Sequence, residues 1–146
     1  MASDLSNALD ELSQSARRLN DLTDQATAAV VDVEQVLAKL SIGIAVWVPF
    51  ESRTGTSTRW RLGYQRAGKE RKYGIVVACA DYATASWSEL SRDVKLDAIA
   101  VLPELIRTIV ERAKERIHRA EIALEEVSII LPLLKSKKGG PSNEDL

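Results

Sequence analysis

Cysteine and histidine, the side chains that most often carry nucleophilic or metal chemistry, occur only once each in this 146-residue sequence. Cys79 has no second cysteine with which to form a disulfide, and a lone thiol excludes a cysteine-based zinc site. Glycine motifs that bind phosphate, of the Gly-x-x-x-x-Gly-Lys-Ser/Thr and Gly-x-Gly-x-x-Gly types, are absent. Glu115 and His118 have the Glu-x-x-His spacing of di-metal bundles, but the heptad pattern directs Ile117 inward and His118 outward. We therefore predict no catalytic residues, no metal site and no cofactor, and we do not expect an enzyme.

Long hydrophobic runs and a large net charge are also lacking. The most apolar late stretch, residues 128–134, is far shorter than the roughly 20 residues that span a bilayer. The first residues, MASDLSNALDE, are acidic and lack the basic and apolar regions of a signal peptide. The formal net charge of −1 argues against attraction of the whole protein to nucleic acid or anionic lipid. Because a lone cysteine fits a reducing compartment, we expect a cytoplasmic protein that does not bind membranes.

The sequence has instead a seven-residue apolar repeat through its first forty residues. The repeat alternates in steps of four and three residues, which is typical of a packed helix. Its members, here called the N-terminal seam, are Leu5, Leu9, Leu12, Ala16, Leu19, Thr23, Ala26, Val30, Val33, Leu37 and Leu40. The same spacing returns near the end of the chain as the C-terminal seam, at Ile106, Val110, Ala113, Ile117, Ala120, Leu124, Val127, Leu131 and Leu134.

Between the two seams the apolar period changes from seven residues to two, which predicts strands. Three alternating runs with short connections over residues 42–80 predict a three-stranded antiparallel meander. The alternation places one apolar set on the same face of the sheet: Ile42, Ile44, Val46, Val48, Phe50, Trp60, Leu62, Tyr64, Tyr73, Ile75, Val77 and Cys79. Arg59 and Arg61 fall on the opposite face, together with small residues such as Gly63 and Ala78. Such small residues are expected to leave room for a ligand or a second subunit to approach the backbone.

A second helical region is predicted from Ser86 onward, because Ser86-Trp87-Ser88-Glu89 has the spacing of a capping box. Pro103 disfavours helical conformation at the preceding residue, so we expect a kink or a break there. The predicted fold class is α+β: a long N-terminal helix, a three-stranded antiparallel meander, and a Pro-kinked C-terminal helical region that pairs antiparallel with the first helix. We expect residues 1–138 to form a single domain with a coiled-coil-like hairpin, and residues 139–146 to form a disordered tail.

The helices of this hairpin would be longer than the sheet, so its far end should expose apolar side chains. Exposed apolar surface of that kind usually marks an interface, and homo-oligomerisation is the expected use. The alternative is that the helix pair folds back onto its own sheet. The candidate interface residues are Leu5, Leu9, Leu12, Trp47, Val127, Ile130, Leu131 and Leu134.

The predicted meander carries an excess of positive charge. From Glu51 to Tyr73 there are seven basic and two acidic residues, a local net charge of +5. The basic residues are Arg53, Arg59, Arg61, Arg66, Lys69, Arg71 and Lys72. Basic side chains interleaved with aromatic ones suit phosphate binding and base stacking. The alternative is a solvated outer face, since strand alternation separates Arg59 and Arg61 from the aromatic residues.

These patterns predict a non-enzymatic, self-associating interaction protein, in which the helical seams drive homo-oligomerisation and the binding of a partner protein. The alternative is an oligomeric module that binds or sequesters an anionic nucleotide or nucleic acid on the basic meander.

Overall fold

The computed structural model describes residues 2–52, 59–79 and 84–139, which form the predicted α+β fold. In chain order the elements are α1 (Ala2–Lys39), β1 (Val46–Glu51), β2 (Arg59–Ala67), β3 (Lys72–Cys79), β4 (Thr84–Ser86), a 3₁₀ turn (Trp87–Glu89), α2 (Arg92–Ile99) and α3 (Leu102–Gly139). The chain divides into two compact units, residues 1–109 and residues 110–146. The single domain over residues 1–138 stays a prediction, and residues 140–146 of the predicted tail lie outside the described residues.

Helix α1 ends at Lys39, one residue before the last member of the N-terminal seam, through a Schellman motif. Ser41 takes the left-handed conformation with φ of 53°, and its amide donates to the carbonyl of Ala38 at 3.1 Å. The Ile42 amide reaches back to the Leu37 carbonyl at 3.2 Å. These two bonds satisfy carbonyls that a helix end otherwise leaves unpaired.

Among the described residues the sheet has four antiparallel strands in the order β1-β2-β3-β4, so the prediction of three strands was one short. With three residues, β4 is too short to show a period of two in the sequence. The first strand begins at Val46 and not at Ile42. The carbonyls of Ile42 and Gly43 accept hydrogen bonds from tyrosine hydroxyls of β2 and β3 instead of pairing in the sheet.

One face of the sheet is covered by helices of the first unit, and the predicted apolar alternation is confirmed there. The buried strand residues on this face are Val46, Val48, Phe50, Leu62, Tyr64, Ile75 and Val77. They form one core with buried helical side chains: Ala26, Val30 and Leu37 of α1, Val94 and Ala98 of α2, and Leu102, Leu105 and Ile109 of α3. Along the N-terminal seam, full burial therefore begins only at Ala26.

The connection into α2 differs from the predicted capping box. Ser86 belongs to β4, and its side chain makes no capping hydrogen bond to the turn that follows. Ser91 caps α2 instead, accepting a hydrogen bond from the Val94 amide at 3.4 Å. The predicted break near Pro103 is confirmed, because α2 ends at Ile99 and α3 begins at Leu102. Proline is tolerated in a first turn, where its missing amide would have no helical partner.

The second unit, as far as the structure describes it, is the part of α3 from Val110 to Gly139. Its side chains are exposed up to Lys137, with Ala113 half-buried. The antiparallel pairing of the two seams stays a prediction.

Candidate functional site

The predicted basic residues fall in three places on the first unit. Arg59 and Arg61 lie on β2, on the face of the sheet that the helices leave open. Arg66 lies on the opposite face at the end of β2, two residues beyond buried Tyr64. Lys69 and Arg71 belong to the β2–β3 turn, and Lys72 begins β3. Arg53 lies outside the described residues. The structure thus separates the arginine pair on the open face from the cations at the hairpin end.

On the open face, Trp47 fills space that the sequence predicted to be empty. A Cβ atom placed on Gly63 would lie 2.4 Å from Cε3 of Trp47, so the indole ring rests directly on the glycine. The Arg61 guanidinium carbon lies 5.1 Å from the centre of this ring, within cation–π distance. Val76, which pairs with Gly63 on its other side, is only 2% exposed. The prediction of open space was therefore wrong at Gly63, and Trp47 packs on its own sheet.

At the hairpin end, a groove of about 590 Å³ opens between the end of α1 and the β2–β3 hairpin. Its apolar wall comes from Leu37, Ala38 and Ile42, and its aromatic wall from Tyr64 and Tyr73. Its polar rim comes from Ser41, Arg66, Glu70, Arg71 and Lys72. All of these residues belong to the first unit.

The two tyrosines hold this groove in shape. Their rings pack at 5.2 Å between centroids. The Tyr64 hydroxyl donates to the Ile42 carbonyl at 3.2 Å, and the Tyr73 hydroxyl donates to the Gly43 carbonyl at 3.0 Å. The segment after α1 is therefore tied to the sheet at two consecutive residues.

The environment of Tyr64 favours its neutral form. Burial raises the pKa of Tyr64, and the nearby Tyr73 and Glu34 raise it further. Glu34 itself accepts a hydrogen bond from the Ile75 amide at 3.0 Å. This carboxylate serves an amide of β3 that lies just beyond the three β3 residues paired with β4.

The rim of the groove is positively charged. Lys72 pairs with Glu70 at 3.1 Å, and both side chains are well exposed. The Arg66 guanidinium carbon lies 5.5 Å from the Tyr73 ring centre. Neither Arg66 nor Arg71 forms an ion pair with any residue that the structure describes. Arg71 also holds a left-handed backbone with φ of 52°, which is unusual for a long side chain.

The sequence pattern does not predict this groove, because it places Tyr64 and Tyr73 in the core and assigns only Arg59 and Arg61 to a face of the sheet. Alternation along β2 places Arg66 on the same face as Tyr64, so the pairing of a cation with the tyrosines could have been found. The contribution of α1 depends on tertiary structure and left no sequence signal.

The predicted helical interface residues lie on exposed surfaces. On α1, Leu5, Leu9 and Leu12 are each more than half exposed. On α3, Val127, Ile130, Leu131 and Leu134 are also exposed. Their role in an interface stays a prediction, as does that of Trp47.

Other chemistry is sparse in the part of the chain that the structure describes. No three histidine, cysteine, aspartate or glutamate side chains come together there in a way that could hold a metal ion. Cys79 is half-buried at the end of β3, and His118 is exposed on α3. Among the described residues, no helix is long and apolar enough to cross a membrane.

Comparisons with known proteins add no family to this description. No protein-family model matches the chain, and neither the curated proteins nor the solved structures contain a match.

Proposed function

We propose that this protein is a non-enzymatic, self-associating interaction protein, and that its helical seams form the contact between copies. One observation carries the proposal: a single heptad stripe on α1 is buried at one end and exposed at the other. Ala26, Val30 and Leu37 pack into the core, whereas Leu5, Leu9 and Leu12 continue the same stripe without cover. A heptad repeat of this length is typical of helices that pack on another helix.

The C-terminal seam supports the same proposal. The large members of the C-terminal seam from Val110 to Leu134 are all exposed; Leu131, for example, is 43% exposed. Leu9, on the N-terminal seam, is 57% exposed. Burying a large aliphatic side chain completely is worth roughly 1.5–3 kcal/mol, so half-exposed residues have about 1 kcal/mol each still to gain. Ten such residues over the two seams give an upper limit of about 10 kcal/mol per chain. That upper limit is comparable with the roughly 4–15 kcal/mol that association costs in entropy.

Light scattering coupled to size-exclusion chromatography tests the proposal. We expect the wild-type protein to have a mass that is a multiple of the 16.1 kDa chain. A double variant, Leu9→Glu with Leu131→Glu, should shift the mass to that of the monomer, because it places charges in both seams. The first-unit core should stay folded, since neither residue belongs to it.

Two control variants separate the seams from general charge effects. Gln14→Glu adds one negative charge on the polar side of α1, and Ile129→Glu makes the same apolar-to-acidic change off the C-terminal seam. Both should keep the wild-type mass. A monomeric wild type, as expected if the seams pair only within one chain, would contradict the proposal, as would an oligomer unchanged in the double variant.

A further inference from the structure

Independently of self-association, we propose that the groove between the end of α1 and the β2–β3 hairpin binds a phosphate-bearing organic anion of nucleotide size. The ligand's phosphate would lie against Arg66 and Arg71, and its organic part against the apolar and aromatic walls. This places anion binding at the hairpin end and not on the open face of the sheet.

The net positive charge of the groove is the first observation that favours a phosphate ligand. Of its four charged lining residues, Glu70 and Lys72 neutralise each other in an ion pair. Arg66 and Arg71 then leave a charge of +2, and no described residue forms an ion pair with either. Two guanidinium groups on one groove suit a phosphate, because each presents parallel N–H donors to its oxygens.

The size and apolar lining of the groove indicate that the ligand also has an organic part. A site for inorganic phosphate alone would need a small polar cradle, whereas this groove measures about 590 Å³ and has apolar and aromatic walls. Sites for organic ligands typically have volumes of about 300–1,000 Å³ and combine apolar walls with a few polar groups. Tyr73 supplies the aromatic surface, and the buried Tyr64 ring packed against it, together with the bonds to residues 42 and 43, fixes this wall before any ligand arrives.

The left-handed backbone of Arg71 is the third observation that favours a binding role for this residue. A non-glycine residue in the left-handed conformation is strained, and such strain is often kept where a side chain has a functional role. Glycine at this position would relieve the strain. An arginine there directs a cation to the rim of the groove at a cost in stability.

Isothermal titration calorimetry at low salt tests the proposal with three probes: ATP, adenosine and inorganic tripolyphosphate. We expect ATP to bind more tightly than either part alone, and its affinity to fall as salt is added. Arg66→Gln should weaken ATP binding about tenfold or more, since a hydrogen bond to a charged group is lost. Arg71→Gly should weaken binding similarly without lowering the urea midpoint of unfolding. Weaker binding by a variant of equal or greater stability is a result that a merely structural role would not give.

Matched variants locate the site. Lys69→Gln removes a cation from the same turn but outside the groove lining, and Arg61→Gln removes an arginine from the open face. Compared at about 0.15 M salt, both should bind ATP within about twofold of wild type, because neither residue lines the groove and exposed charges are strongly screened at that ionic strength. The proposal is overturned if no probe binds, if tripolyphosphate binds as well as ATP, or if Arg61→Gln and not Arg66→Gln abolishes binding. The proposal would also be overturned if a single-stranded oligonucleotide displaced ATP from the wild-type protein and from Arg66→Gln, but not from Arg61→Gln.

Discussion

The contact between Trp47 and Gly63 makes a sharp prediction about stability. In Gly63→Ala the new methyl group would lie 2.4, 2.6 and 2.7 Å from three atoms of the indole ring. Carbon atoms pack at about 3.5–4.0 Å, so the ring must move by about 1 Å or rotate away. The two residues are direct partners in the β1–β2 ladder, so the backbones have little freedom to separate.

The expected loss is about 1–3 kcal/mol in the free energy of unfolding. Overpacking of this kind costs about 1–3 kcal/mol, and moving the ring from Arg61 loses about 0.5–1 kcal/mol more. Against this, alanine stabilises a strand relative to glycine by roughly 0.5–1 kcal/mol. The balance stays unfavourable as long as Trp47 occupies its present place.

A double-mutant cycle with Trp47→Val tests this reasoning, using urea unfolding followed by circular dichroism. In the Trp47→Val background, Gly63→Ala should be neutral or stabilising, which gives a coupling energy of about 1.5–3 kcal/mol. Gly74→Ala is the matched control, since its Cβ would meet only Glu34 Oε1, at 3.9 Å. A coupling energy below about 0.5 kcal/mol would refute the placement of the ring on the glycine.

Three further predictions concern the end of α1 and the strand edge. The pKa of Tyr64 is raised from 10.0 in the folded protein, so the folded state holds the phenol proton more tightly than the unfolded chain does. The contribution of Tyr64 to stability is therefore fully present below pH 10.0 and is lost as the pH rises through the folded pKa. Ultraviolet titration should show a late phenolate absent from Tyr64→Phe, and identical curves would contradict this. Glu34→Ala should cost about 1–3 kcal/mol by stranding the Ile75 amide, while Glu34→Gln keeps an acceptor oxygen and most of the stability. Ser41→Gly should raise the unfolding free energy by up to about 1 kcal/mol, and a decrease would argue against the left-handed conformation.

Local periodicity predicted the helices and the inward face of the sheet. Val48, Leu62 and Val77 belong to the apolar set that recurs at every second residue, and each is buried where the period of two placed it. The seam predicted the end of α1 because the heptad stops where the two-residue period begins. These features depend on residues that are close together in the sequence, so one amino-acid sequence is enough to predict them.

The features that sequence did not predict depend on contacts across elements. The ring of Trp47 lies over Gly63, sixteen positions away, and single-strand alternation does not show whether a small residue is open or covered. The capping of α2 by Ser91 and not Ser86 depends on where the short β4 ends. The groove also depends on left-handed backbone at Ser41 and Arg71, and neither position has the glycine that usually marks this conformation in a sequence.

The tyrosine hydrogen bonds fix the C-terminal end of α1, while its N-terminal end extends beyond the core. The helix packs into the core from Ala26 to its Schellman motif, and Asn20 still accepts a hydrogen bond from Arg92 of α2 at 3.2 Å. At about 1.5 Å per residue, the stretch from Ala2 to Asn20 is about 27 Å long. A tilt of about 5° in the anchored part would move the tip of this stretch by about 2 Å. The angle set beside the hairpin therefore decides where the exposed leucines of α1 are presented.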